Sequence, residues 1–245
     1  MSYQELFKQL AATTQARINL GNSGSGLPTK PLLAFRYDHA LAKDAVYTNL
    51  DIPKLQEDLL RIGLDSIAVH SQATERDIFL KRPDLGRKLE ETSRHILLNN
   101  QIENELTIII SDGLSAQAVQ AHAVPFINSL IHLVQNIKLT KVIIAKHGRV
   151  AISDEIGELC KATISIILIG ERPGLSSPDS MGIYLTYQPK SGNTDEKRNC
   201  ISNIRQQGLS YDEAALKLNF LIRESLRLKL SGVYLKEKSP LNKLI

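Results

Sequence analysis

The run from Ile164 to Ile169, ISIILI, leaves a folding chain little choice. It is too short to cross a bilayer, rich in β-branched residues and bounded by Gly170, so it reads as a buried strand in the middle of a sheet. The tip that follows, Gly170-Glu171-Arg172-Pro173-Gly174, joins two glycines, a proline that fixes one φ, and adjacent opposite charges. Ligands of open α/β sheets bind beyond the carboxyl ends of the strands, so this tip is either a binding loop or a solvated turn.

Two more runs of the same kind precede it. Leu106 to Ile110 ends in Ser111-Asp112-Gly113, and Lys141 to Ala145 ends in Lys146-His147-Gly148-Arg149-Val150. Helical patterns separate them: Ser115 to Gln135, which Pro125 should kink or split, and a helix to about Ala162 for which Ser153 or Asp154 can serve as the cap. Strands alternating with helices through right-handed crossovers predict an α/β fold, a Rossmann-like parallel sheet with flanking helices. The three polar tips then open on one edge and form a binding crevice. Met181 to Tyr187 reads as a further strand, followed by a polar loop to Cys200-Ile201. Tyr211 to Leu230 is an amphipathic helix, with Ser210 and Glu213 in capping-box spacing.

The first part of the chain is less regular. Residues 1 to about 17 place Leu6, Leu10 and Ala11 at helical spacing, and residues 21–28 have linker composition. Gly24-Ser25-Gly26 begins like a dinucleotide fingerprint but lacks a preceding strand and a third glycine. Asp38 and His39 are an acid-base pair by type; as sequence neighbours on a helix they point about 100° apart, and a capped helix start explains the Asp equally well, so the structural reading is preferred. The expected organisation is an N-terminal helix and linker over 1–30, a mainly helical region over 31–104, and a Rossmann-like domain over 105–245.

Composition narrows the function classes. Of 245 residues, 42% are hydrophobic and 23% charged, ordinary for a globular chain, and no apolar run reaches membrane-spanning length. The opening residues do not resemble a secretory signal, which points to a cytoplasmic protein. Thirty Lys and Arg against 26 Asp and Glu give a net charge of +4, with the basic residues scattered apart from a C-terminal group that includes Arg223, Arg227, Lys236 and Lys243. With 5% aromatics and no Trp, the chain lacks the basic stripe with interleaved rings that nucleic acid requires. Cys160 and Cys200 form no CxxC pair, so neither a zinc site nor a disulfide framework is expected. No nucleophile elbow, P-loop or metalloprotease motif is present, and little beside Cys200 would activate its thiol. The residues alone therefore describe a crevice for a large ligand edged with amides and hydroxyls, and no autonomous catalytic set.

The blocks FRYDHALAKDAV, RPDLGRKL, SDGLSA, KHGRVAISDEIGE, GERPGLSSPDS and RNCISNI, spread over nearly the whole chain, resemble the small subunit of adenosylcobalamin-dependent ethanolamine ammonia-lyase. That resemblance implies a carbon-nitrogen lyase converting ethanolamine to acetaldehyde and ammonia by a radical route. The large subunit holds the substrate, and the small subunit completes the cobalamin site of a hetero-oligomer. By motif, the cofactor contacts fall on Val150 in GRV, Glu171 in GERPG and Cys200 in RNC. No catalytic residue and no ligand to cobalt falls on this chain, which also lacks an Asp-x-His-x-x-Gly signature. The family further implies a cytoplasmic setting within a bacterial microcompartment. Two other readings stay open: a structural or regulatory subunit without cofactor contacts, and a stand-alone nucleotide-binding α/β enzyme. Asp38, His39, Asp112 and His147 receive no role.

Overall fold

The computed structural model describes residues 3–14, 16–100, 102 and 104–235. The tail after Lys236, with the basic residues in it, lies outside the described residues. A six-stranded sheet carries the fold, built from β1 (Asp65–His70), β2 (Leu106–Ser111), β3 (Lys141–Lys146), β4 (Ile164–Gly170), β5 (Met181–Tyr187) and β6 (Arg198–Ile204), in the order β1-β3-β2-β4-β5-β6. The first four strands are mutually parallel, while β5 and β6 are antiparallel to their neighbours. The expected α/β class therefore holds, with a mixed sheet in place of a wholly parallel one. The chain turns straight back after Gly174-Leu175-Ser176-Ser177, where Gly174 and Ser177 exchange backbone hydrogen bonds of 3.1 and 3.2 Å, and no crossover helix intervenes to return it to the starting edge.

Two strands come from stretches read otherwise. The region 31–104, expected to be mainly helical, contributes β1, whose pairing with β3 gives its modest apolar step a partner that local pattern does not reveal. The segment around Cys200 is expected only as the apolar pair at which a polar loop ends, with no strand assigned to it. Pairing with β5 makes it a strand, in a register that shifts once between Met181 and Ile183.

Every residue of β2 and β4 is buried, so the run that most constrains the chain does lie inside the sheet. On one face Ile108, Ile110, Ile166, Leu168, Ile183 and Leu185 pack under α3 (Ile52–Arg61), α6 (Ala116–Ile131) and α8 (Tyr211–Leu228). On the other, Ile109, Ile143, Ala145 and Ile167 pack under α5 (Glu91–Asn99) and α7 (Ile152–Leu159). Helix α6 runs unbroken through Pro125. Its N-cap Ser115 accepts the Ala118 N–H at 3.2 Å, and α8 carries the expected Ser210–Glu213 capping box.

Two caps expected from sequence are absent. Asp38 sits in the middle of α2 (Thr29–Tyr47), 2.6 Å from Arg17, because the helix begins before it. The N-cap of α7 is Ala151; Ser153 Oγ donates back to Val150 O at 2.8 Å, and Asp154 turns instead toward β6. Helices α1 (Tyr3–Thr13) and α2 lie largely outside the core, with Ala45 the buried residue of α2.

The tips after β2 and β4 pack backbone against backbone. A Cβ on Gly170 would lie 2.0 Å from Ser115 O and 2.5 Å from Asp112 O, and Leu114 N donates to Gly170 O at 2.9 Å. Because neither contact is with a side chain that can swing away, Gly170→Ala should lower stability by about 1–3 kcal/mol or more, read as the urea midpoint against wild type. An unchanged midpoint would show that this crossing has room for a methyl group.

Candidate functional site

The crevice expected from three strand tips is divided in two. Helices α6 and α7 leave adjacent strands β2 and β3 toward opposite faces, which would normally open a cleft between those two tips. Here the chain fills that cleft itself. Asp112 accepts the His147 backbone N–H at 2.7 Å and faces Arg76 Nη1 at 3.2 Å, while Arg76 Nη1 also donates to Gly113 O at 2.7 Å. Arg76 and Phe79 come from α4 (Arg76–Lys81), and the Phe79 ring lies 5.9 Å from that of His147. Burial lowers the His147 pKa against the pull of Asp112, and its Nδ1 is 2.9 Å from Ala73 O, so this imidazole is a neutral structural group. The same burial raises Asp112, opposed by Arg76 and His147.

The open surface lies to the side, where α7 stops short and β5–β6 continue. A concave pocket of about 370 Å³ is walled by Arg149, Val150 and Ala151 from the β3–α7 turn and by Tyr184, Arg198 and Cys200 from β5–β6, with Pro83, Arg87 and Asp195 on the rim. A second hollow of about 460 Å³ shares Arg87, Ala151 and Asp195 with it and extends the groove toward Ser191–Asn193. Val150 and Cys200, 50 positions apart in sequence, thus face one cavity.

Glu171 stands next to this pocket, outside its immediate lining. Its carboxylate accepts from Ser180 Oγ and from the Asn203 N–H at 3.3 Å, and its other oxygen lies over Gly182 of β5, where a Cβ would come within 2.9 Å of it. Tyr184 links the two: it pairs in register with Cys200, and burial raises its pKa, with Cys200 and the charge of Glu171 adding to the rise. Cys200 is exposed on β6, yet the surrounding protein desolvates its thiol enough to raise its pKa; Tyr184 lowers it and Glu171 raises it again. A neutral thiol of this kind offers packing and a weak hydrogen bond.

Sequence reasoning missed Tyr184, Arg149 and Arg198. The alternation Gly182-Tyr184 on one face of MGIYLTY was legible, but its meaning depended on recognising β6 beside it. Arg198 is buried, its Nη2 on Asp154 and its Nη1 2.7 Å from Asp195, and it ties β6 to α7 at the back of the pocket. Elsewhere His39 and Tyr47 of α2 border a separate hollow with Arg172, Pro173 and Leu175. Among the described residues no group of three or more His, Cys, Asp or Glu could hold a metal ion, and no helix is long and apolar enough to cross a membrane.

Residues 4–236 match the model of the family described as ethanolamine ammonia-lyase light chain. The chain belongs to that family. It is 48% identical over 241 residues to the ethanolamine ammonia-lyase small subunit of Pseudomonas aeruginosa, covering 96% of this chain and 88% of the relative. The small subunit of Azotobacter vinelandii is 47% identical over 244 residues, covering 97% and 90%, and that of Xanthomonas campestris pv. campestris 47% over 242, covering 96% and 89%. All of the groove described above lies inside the region matching the light-chain family.

In this light-chain fold the Asp154–Arg198 pair is not fully satisfied, since Asp154 Oδ1 and Arg198 Nε are buried without hydrogen-bond partners. Burial pushes Asp154 up to about 6, against the opposing pull of Arg198 and Asn193. A carboxyl raised in the folded state favours folding below its unfolded value, near 4, and loses that contribution as pH rises through about 6. Asp154→Asn, which cannot ionise, should therefore gain stability relative to wild type between pH 4 and pH 7, measured as the difference in Tm. A difference that moves the opposite way would mean that the Arg198 attraction outweighs desolvation.

Proposed function

We propose that this chain is the small subunit of an adenosylcobalamin-dependent ethanolamine ammonia-lyase, and that its groove between the β3–α7 turn and the β5–β6 face forms one wall of the cofactor site. The large subunit supplies the other wall and holds ethanolamine. The observation that carries this is the family match over residues 4–236, joined to the meeting of Val150 and Cys200 in one pocket with Glu171 at its edge. In domain terms the cofactor-binding unit is 105–245, to which β1 adds the far edge of the sheet. Family membership disfavours the stand-alone nucleotide-binding enzyme.

The residues fit the group. A corrinoid presents a rim of neutral amides and a nucleotide tail; the groove offers the Tyr184 and Cys200 side chains and backbone at Val150, a Glu171 oxygen stands beside it, and the buried Arg149 Nε has no partner within the described residues. A pocket of about 370 Å³ is too small to enclose a corrin ring, so it embraces only part of one. When bound, the cofactor supplies the radical chemistry, while this chain positions it and excludes water from one side.

The surface available to a large subunit is of the right kind. Leu6, Phe7 and Leu10 of α1 are 43, 39 and 45% exposed, and Leu33, Tyr37 and Leu41 of α2 are exposed as well. Apolar side chains exposed on two neighbouring stretches of helix support a partner surface there. The hollow that α2 shares with Arg172–Leu175 is lined on the helix by His39, Ala42, Lys43, Val46 and Tyr47, apart from Leu33, Tyr37 and Leu41. An address to a bacterial microcompartment, within the cytoplasm, would fall on the same N-terminal helix.

The direct test is calorimetric titration with adenosylcobalamin of the isolated chain and of the chain co-expressed with a large subunit. The complex should bind the cofactor and release acetaldehyde from ethanolamine; the isolated chain should do neither. Submicromolar binding or turnover by the isolated chain would overturn the two-wall reading. Within the complex, Glu171→Ala should weaken cofactor binding by about 10- to 150-fold, the loss of one charge-assisted hydrogen bond, and Glu171→Gln by less. Unchanged affinity in both would remove Glu171 from the site.

A further inference from the structure

Away from the groove, the hollow of about 480 Å³ between α2 and the loop 172–175 carries charge of one sign. His39, Lys43 and Tyr47 line it from the helix and Arg172 from the loop; Val46, Pro173 and Leu175 add apolar lining, and no carboxylate takes part. The acids nearest in sequence are engaged or placed elsewhere. Asp38 holds Arg17 at 2.6 Å, Glu171 accepts from Ser180 Oγ and from the Asn203 N–H at the end of β6, and Asp44 stands about 100° round the helix from Lys43.

The same charge continues along α2. Arg36, Lys43 and Tyr47 fall at i, i+7 and i+11 with His39 beside them, so one stripe of the helix is basic. Arg36, Lys43 and Arg172 are all exposed, and among the described residues their side chains make no hydrogen bond or ion pair. The exposed Leu33, Tyr37 and Leu41 run along the neighbouring stripe of the same helix.

Three cations on long, unbraced stems hold a free ion poorly, because ordering each of them in water returns little. A protein partner changes the balance. Covering this face takes Lys43 and Arg172 out of water beside Val46, Pro173 and Leu175, and a wholly apolar cover would leave those charges buried and unpaired. A partner that brings carboxylates avoids that cost and is itself ordered by the rest of its interface. A glutamate suits the hollow well: its aliphatic stem can lie on the apolar lining while its carboxylate accepts from the Lys43 ammonium, the Arg172 guanidinium and the Tyr47 hydroxyl.

We propose that the basic stripe of α2 and the hollow it shares with Arg172 are the docking site for an acidic segment of the large subunit, whose carboxylates enter beside Lys43 and Arg172 while its apolar side chains cover Leu33, Tyr37 and Leu41. This rests on the reading of the chain as one subunit of a two-subunit lyase. Electrostatic docking of this kind fixes register and speeds encounter, and salt weakens it.

The test measures association of this chain with the large subunit by analytical ultracentrifugation, from about 50 to about 500 mM NaCl. Lys43→Glu and Arg172→Glu should each weaken association by about tenfold or more at low salt, with the gap from wild type narrowing as salt rises. Arg223→Glu, the same change of charge on an exposed position of α8, should stay within about twofold of wild type. All three positions are exposed, so the variants report on docking and not on folding. In the wild-type complex a zero-length carbodiimide should couple the Lys43 amine to an Asp or Glu of the large subunit, identified by mass spectrometry, and Arg172→Lys should add a second such link. Unchanged association of both variants, or losses matched by Arg223→Glu, would overturn the docking site and leave the two-subunit reading standing. A Lys43 link to a second copy of this chain would likewise overturn it. A wild-type chain that does not associate with the large subunit at all would overturn both.

Discussion

Asp112 lies at the end of β2 with 2% of its surface exposed, and the carboxyl edge of the sheet is arranged around that buried charge. Leaving a carboxylate unpaired in such a place would cost several kcal/mol, so its surroundings are committed to it. The His147 N–H reaches it only because the chain after β3 turns through a positive φ of 56° at His147, and Arg76 reaches it only because α4 lies across the tips. The cleft at the reversal of strand order is thereby used up as structure, and the open groove occurs elsewhere.

Where it occurs follows from an asymmetry between the two faces of the sheet. Helices α6 and α8 cover β4, β5 and β6 on one face, while on the other α7 packs against β4 and leaves Tyr184 half-buried and Cys200 exposed. The antiparallel return of β5 and β6 causes this, because a hairpin extends a sheet without bringing a crossover helix to cover it. Arg198 then anchors the uncovered strand to α7 through Asp154, and the groove lies between them. A surface with an incomplete wall, beside helices with exposed leucines and tyrosines, belongs with a chain whose family is named as one part of an assembly.

Much of the architecture could be read from pattern. The runs at 106–110, 141–145 and 164–169 announced parallel strands because burial on both faces demands unbroken apolar residues, and Ser210 with Glu213 announced a helix start because an orphaned N–H needs a nearby acceptor. The Asp38 and Asp154 caps failed for one shared reason. A carboxylate near a helix start has more than one cation or N–H it can satisfy, and Arg17 and Arg198, distant in sequence, supplied the better partners.

By itself the sequence determined which stretches must be buried, that the class is α/β, and, through motifs spread along its length, which family the chain resembles. Those are local or whole-chain properties, written in the order of residue types. Only the tertiary structure decided that β1 and β6 are strands, that Asp112 and His147 close the expected crevice, and that Val150, Tyr184, Arg149 and Cys200 share a pocket. Strand pairing and charge pairing join residues tens of positions apart, and an edge strand or an unpaired arginine is defined by what does or does not arrive beside it in space.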